Sequence, residues 1–253
     1  MVHLAPLPGA PRHTGSMDQV IDAALRDTAV LAAAGFDALM IENFGDAPFF
    51  ADDVPDVTVA AMTRAVTEIR SVTSLPIGVN VLRNDGLAAA AIAIATGASL
   101  IRVNVLTGTM YTDQGPIVGQ AAEIARTLMT APLPPLVLAD VFVKHATPPP
   151  GLTVEQAALD TWERGGASAL VVSGTGTGTE IDIEDARRIR RAVPHAPLVV
   201  GSGASVAGIE QLAGVVDSII VGTSLKAGDV SSPVDPGLAE TFISAARAAG
   251  FTP

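Results

Sequence analysis

Charged and amide side chains recur at the ends of apolar runs in this sequence. Glu42 closes "MIE", with Asn43 beside it and Asp46 in the loop that follows. Asn80 lies inside "GVNVL", and Arg102 and Asn104 stand two apart in "IRVNV", hence on one side of an extended chain. Asp140 and Lys144 are four apart in "ADVFVK", again on one side, and His145 follows. His3 lies in the opening "MVHL", and Ser173 closes "LVVS". An unpaired charge buried in such runs is expensive. The choice is between a structural ion-pair lattice, for example Glu42 with Arg102, and a reaction site. Polar groups on five successive runs favour the site. The inventory suits proton transfer with stabilisation of an oxyanion or oxocarbenium. Glu42 or Asp140 would serve as acid or base, with Arg102 and Lys144 fixing charge and His145 beside them. His3, Asn43, Asp46, Asn80, Asn104 and Ser173 would contact the substrate.

Two further runs, "VVGSGAS" (199–205) and "IIVGTSLK" (219–226), end in small residues that carry no acid or base. Glycine lets a main chain approach an anion, and Ser and Thr hydroxyls add donors. Gly201, Ser202 and Gly203, with Gly222, Thr223 and Ser224, are therefore read as a phosphate cradle. "SGTGTGTE" (173–180) reads as a third donor-rich loop or a mobile lid. "VKHATPPPGLT" (143–153) is stiffened by proline. "NFGDAPFFADDVPD" (43–56) carries Phe44, Phe49 and Phe50, three of seven phenylalanines, which read equally as a lid over an apolar or planar group, as loop packing or as an oligomer contact.

The elements that must position these residues alternate in texture. Eight β-branched runs are legible: "MVHL", 37–43, 76–82, 99–106, 135–143, 168–174, 197–203 and 217–225. Between them lie Ala-rich segments of helical period at 17–35, 58–72, 119–130, 153–165, 182–193 and 207–215. Several stop at Gly35, Gly165 or Gly214, or just before Pro194. The joints "GFDAL", "GASL" and "GASAL" recur between a helix and the next strand. Repeated strand–helix units leave a closed eight-stranded barrel or a doubly wound open sheet. Eight strands in 253 residues, without a dinucleotide-binding glycine signature near the start, predict a single (β/α)8 TIM barrel over residues 1–253. In such barrels the strand C-termini carry the chemistry, and loops after strands seven and eight hold phosphate.

Composition narrows the classes. A formal charge of −11 argues against nucleic acid as partner, since backbone binding draws on clustered cations. It leaves room for one bound phosphate. Zero cysteines exclude a disulfide scaffold and a thiol nucleophile and agree with a cytoplasmic setting. No basic flank with a long apolar run marks a signal peptide. The longest apolar stretch, at 87–98, is too short to span a bilayer.

At "MVHLAPLPGAPRH", "GFDALMIENFGDAPF", "GVNVLRND", "IRVNV" and "LADVFVKHA" the chain resembles the BtpA/SgcQ family over nearly its whole length. That resemblance implies a barrel of the ribulose-phosphate-binding type. It also implies site residues at His3, Glu42, Asn43, Asp46, Asn80, Arg102, Asn104, Asp140, Lys144 and His145. The family name reflects a role in photosystem I biogenesis, while other members are labelled nucleosidases or sugar-operon proteins.

The first expectation is an enzyme acting on a phosphorylated sugar or nucleotide-like molecule. It would cleave or form a glycosidic bond, or isomerise the sugar. The alternative is a non-catalytic ligand-binding or assembly factor of the BtpA type. A Schiff base at Lys144 is disfavoured, because Asp140 would raise its pKa. No spacing specifies a metal; Mg²⁺ on Glu42, Asp46 or Asp140 is admissible, and the histidines are too scattered for zinc. Apolar helix faces on such barrels often pair, so a homo-oligomer is expected.

Overall fold

The computed structural model describes residues 1–174 and 182–252, so most of the "SGTGTGTE" loop lies outside the described residues. In chain order the strands are β1 (Val2–His3), β2 (Leu39–Glu42), β3 (Ile77–Asn80), β4 (Leu100–Val103), β5 (Thr109–Thr112) and β6 (Gly115–Val118). They continue as β7 (Leu136–Val141), β8 (Ala146–Thr147), β9 (Ala169–Ser173), β10 (Leu198–Ser202) and β11 (Ser218–Ile219). Eight form one parallel sheet in the order β1-β2-β3-β4-β7-β9-β10-β11, at the eight places the sequence predicts. The sheet is curled. The Met1 nitrogen donates to the Val221 carbonyl at 2.7 Å, bringing the chain beyond β11 against β1. Among the described residues no ladder joins β11 to β1, so the expected closure takes the form of a curled eight-stranded parallel sheet.

Helices α1 (Met17–Ala34), α2 (Asp56–Val72), α3 (Gly86–Thr96), α4 (Ala121–Leu128), α5 (Val154–Leu159), α6 (Ile183–Ala192), α7 (Ile209–Leu212) and α8 (Pro236–Ala248) alternate with the strands. Their ends are written locally. Ser16 and Gln19 form a capping box at the start of α1, and Gly35 ends it at φ 88°, a left-handed conformation that suits glycine. Asp85 caps α3, Thr153 caps α5 and Asp235 caps α8. The sequence reading omitted α3 and α8. "GLAAAAIAIAT" has no polar face to give it a period, because even its exposed positions, Ala91 and Ala95, are apolar.

Alternation along the strands sorts the core. Ile41, Val79, Ile101, Leu170 and Val200 are fully buried on the helix-facing side, each contributing about 2 kcal/mol relative to exposure. Ala169, Val171 and Val199 pack on the opposite face with Leu138 and Ile220.

The sequence reading also missed an excursion after β4. β5 pairs antiparallel with both β6 and β8, so a three-stranded sheet ties the β4–α4 connection to the loop after β7. No described helix is long and apolar enough to cross a membrane.

Candidate active site

Strand register puts the polar residues in a row. His3 lies opposite Glu42, Glu42 opposite Asn80 and Asn80 opposite Arg102 across four adjacent strands. Neighbours in register point to the same face, so all four side chains share the interior. Asp140 stands two residues beyond the Arg102 partner Leu138, hence on that same face one step up β7.

Arg102 is the anchor. Its Nε and Nη2 donate to Asp140 Oδ1 and Oδ2, each at 2.8 Å, while Nη1 reaches the Gly201 carbonyl at 3.3 Å and Nη2 the Ser173 hydroxyl at 3.3 Å. Asn104 donates to Asp140 at 3.2 Å, and Asn80 donates to Asn104 at 3.2 Å and to the Arg102 carbonyl at 3.0 Å. Burial opposes the Arg102 charge, but Asp140 outweighs it and holds the guanidinium pKa above its ordinary value. Asp140 thus has both oxygens committed.

Glu42 differs. It is 2% exposed, and among the described residues its polar partner is His3 Nε2 at 3.6 Å, beyond hydrogen-bond length. His3 stacks on Phe44 with ring centroids 4.6 Å apart. Burial drives the His3 pKa down to about 2, helped by the Met1 amine, Lys226 and Lys144, so the ring is neutral. Its Nδ1 is buried without a well-formed hydrogen bond; the Val230 backbone nearby only partly offsets the fall.

Lys144 is half-buried and makes no ion pair or side-chain hydrogen bond among the described residues. Burial lowers its pKa; Glu42 and Asp140 oppose that, while Arg102 and Arg83 reinforce it. Its backbone is clamped. Arg83 Nη2 donates to the Lys144 carbonyl, and Phe142 and His145 on either side adopt φ 55° and 56°. Left-handed non-glycine residues cost of order 1–3 kcal/mol each and cluster where geometry serves function.

Both glycine-ended strands meet this group. One cavity is lined by Glu42, Arg102 and Lys144, by His3 and Phe44, and by 201–204 and 220–224. The amides of Gly203, Ala204, Gly222, Thr223 and Ser224 have no acceptor among the described residues. Such unsatisfied N–H groups around a concavity make an anion nest. Among the described residues the hydroxyls of Ser202 and Thr223 make no hydrogen bond, whereas Ser224 Oγ donates to the Ala204 carbonyl at 2.6 Å and ties the two loops. Gly201 is required: a Cβ there would lie 2.3 Å from Val171 Cγ1 and 2.7 Å from Arg102 Nη2.

Other expected site residues are elsewhere. Asn43 bonds the Leu82 backbone and Asp46, and Asp46 accepts from the Leu7 amide at 2.8 Å, so this pair fastens loops beside the cavity. His145 is exposed, with its pKa lowered by burial of part of the ring and by Lys144. Asn80 and Asn104 brace Asp140 from below. Arg83 was missed; its position in "VLRND", just past a strand end, was the available signal. Asn84 was missed too, and it clamps Val105 through both its amide groups. For the admissible Mg²⁺, Asp46 and Asp140 are each committed to different partners, and no three His, Asp or Glu side chains among the described residues gather to hold an ion.

Comparison with known proteins adds a lineage. A family model described as the BtpA family matches residues 1–248. An uncharacterized protein of Thermococcus kodakarensis is 50% identical over 228 residues, covering 89% of this chain and 85% of its own. Photosystem I biogenesis protein BtpA of Synechocystis is 43% identical over 248 residues, covering 97% and 86%. The sgc region protein SgcQ of Escherichia coli is 28% identical, covering 99% and 91%. Among solved structures, phosphoribosyl anthranilate isomerase of Thermus thermophilus superposes with a TM-score of 0.57 at 10% identity, covering 88% of this chain and 94% of that one. N-acetylmannosamine-6-phosphate 2-epimerase of Clostridium perfringens gives 0.54 at 13% identity, covering 87% and 84%. These likenesses establish a TIM-barrel-like fold.

Proposed function

The chain belongs to the BtpA family, and from that premise we propose that it is an enzyme acting on a phosphorylated sugar or nucleotide-like small molecule. We take residues 1–253 as one (β/α)8 barrel domain whose seam lies between β1 and β11. The observation that carries the reading is one cavity that joins an amide nest to a carboxylate and an ammonium, neither of them hydrogen-bonded through its side chain among the described residues. Its support from the fold is that similar barrels include a phosphoribosyl isomerase and a sugar-phosphate epimerase.

In this reading the phosphate rests on the amides of Gly203, Gly222 and Thr223, with the Ser202 and Thr223 hydroxyls. The reacting carbons then lie over Glu42 and Lys144. Glu42 takes a proton from carbon or hydroxyl and returns it. The Lys144 ammonium faces the oxygen on which charge develops. Arg102, held by Asp140, supplies a fixed positive field and fastens the Gly201 carbonyl. Glycosidic hydrolysis ordinarily takes two free carboxyl groups. Here Asp140 is committed to Arg102, and among the described residues Glu42 is the one carboxylate that lines the cavity, which favours proton transfer in a sugar phosphate over glycosidic cleavage.

The test is exchange in D2O. Pentose and hexose phosphates incubated with the enzyme should gain deuterium next to the carbonyl, read by NMR, and Glu42→Gln should abolish exchange while the ligand still raises the melting temperature. Release of a free base or aglycone without exchange would move the assignment to glycosidic cleavage. Stabilisation without turnover of any kind would support the binding or assembly reading that the Synechocystis relative's name carries.

A further inference from the structure

Back to back with the candidate active site, across the His3–Phe44 stack, lies a second and larger cavity of about 470 Å³. It is formed by the loop after β1, the middle of α1, the Phe-bearing loop after β2 and the segment 226–233. Its apolar wall includes Phe44 and Phe49. Its charged lining is lopsided. Arg12, Arg26 and Lys226 face it, against one lining carboxylate, Asp27, on a chain whose formal charge is −11.

The cations are short of partners. Arg12 and Arg26 are exposed and make no ion pair or side-chain hydrogen bond among the described residues. Lys226 is 7% exposed, and its ammonium donates to the Ser232 carbonyl at 2.7 Å. Asp27 already accepts from the Val234 amide at 3.0 Å. Burial lowers the Lys226 pKa, with Asp27 and Asp229 opposing it. A nearly buried ammonium with two unpaired guanidiniums at the rim is an arrangement that an anion completes. The shared wall adds a further unsatisfied group, since His3 Nδ1 is buried without a well-formed hydrogen bond.

We propose that this cavity is a second ligand site, separate from the phosphate cradle, for an organic anion with a flat apolar body. The anionic group meets Arg12, Arg26 and Lys226, and the body lies against Phe44 and Phe49. The proposal does not rest on the reaction proposed above, because none of its recognition residues belongs to the amide nest.

The test uses two fluorescent probes on the full chain. 8-Anilinonaphthalene-1-sulfonate has the required anion and flat body, and N-phenyl-1-naphthylamine has the same body without the charge. The sulfonate should bind one per chain, and the neutral probe at least about tenfold more weakly. The double variant Arg12→Gln/Arg26→Gln alters only exposed side chains, so it should fold; it should weaken the sulfonate about tenfold and leave the neutral probe unchanged. Inorganic phosphate at levels that protect the cradle should not displace the sulfonate. Equal affinity for the two probes, an unaltered sulfonate affinity in the double variant, or displacement by phosphate would each overturn the proposal.

Discussion

Arg102 and Asp140 meet through two parallel hydrogen bonds of 2.8 Å, with side chains 2% and 0% exposed, and the same guanidinium reaches Gly201 on β10. The pair therefore ties β4 to β7 and both to the start of the anion loop. Paired, the two charges are tolerated; alone, either is a buried charge without compensation. Asp140→Asn should cost about 3–5 kcal/mol in urea denaturation, and the double variant Arg102→Met/Asp140→Leu should recover most of it. A loss under about 1 kcal/mol for the single variant would mean that the carboxylate is not the anchor.

Lys144 is the opposite case, a cation held without an ion pair or side-chain hydrogen bond among the described residues. Its folded pKa lies below the ordinary lysine value, so the folded state binds its proton less tightly than the unfolded chain does. Lys144→Met removes that burden and should raise the melting temperature by about 2–4 °C. The same change should abolish turnover of the sugar phosphate, whereas Lys144→Arg should keep part of it. Turnover that survives Lys144→Met would remove the ammonium from the reaction.

The two loop glycines should separate stability from binding. Gly201→Ala drives a methyl against Val171 and Arg102, and overpacking of that kind costs about 1–3 kcal/mol. Gly222 has φ −138°, outside the left-handed region, and its added Cβ would meet the His3 ring at 2.9 Å from Cε1 and Met1 Cβ at 3.2 Å, longer approaches than those at Gly201. Gly222→Ala should therefore cost less stability than Gly201→Ala and still weaken inorganic phosphate binding in titration calorimetry. Equal phosphate affinity in Gly222→Ala and the parent would detach that loop from the cradle.

These contrasts show what a linear reading reaches. Apolar runs bounded by glycine and proline give all eight main strands, because burial on both faces of a parallel sheet demands them. The polar residues within them were equally visible, since Glu42, Asn80 and Arg102 interrupt otherwise apolar stretches. What was not legible is which of these side chains are already spoken for. Asp140 and Glu42 look alike in sequence, yet one is locked by Arg102 and the other faces the cavity with no hydrogen-bond partner among the described residues; only register and the position of β10 decide that. Asn43 and Asp46 sit at a strand end, and the sequence does not show that their bonds run to the Leu82 backbone and the Leu7 amide, each thirty-nine residues away. The β5–β6–β8 sheet hid because its strands are short and half-exposed, with no sustained alternation. Arg83 hid because its partner is a backbone carbonyl sixty-one residues on, a contact without a side-chain signature.

His3 gives the fold a titration that can be followed directly. Its folded pKa is about 2, against about 6.5 in an unfolded chain, so between these values the unfolded state binds the extra proton and stability rises with pH. The groups facing the ring act in both senses: Lys226, Lys144 and the Met1 amine disfavour its charge, and Glu42 at 3.6 Å is the nearby carboxylate. The His3 contribution is fully present above pH 6.5 and shrinks as pH falls below it. Between pH 7.5 and 5.5 the parent should lose about 1 kcal/mol more than His3→Gln, measured by urea denaturation at each pH. The difference should not depend on phosphate, because a neutral ring carries no charge to the cradle. An equal loss in the two proteins would mean that Glu42 accepts the protonated ring. His3 would then be a working partner of that carboxylate rather than a neutral wall between the two cavities.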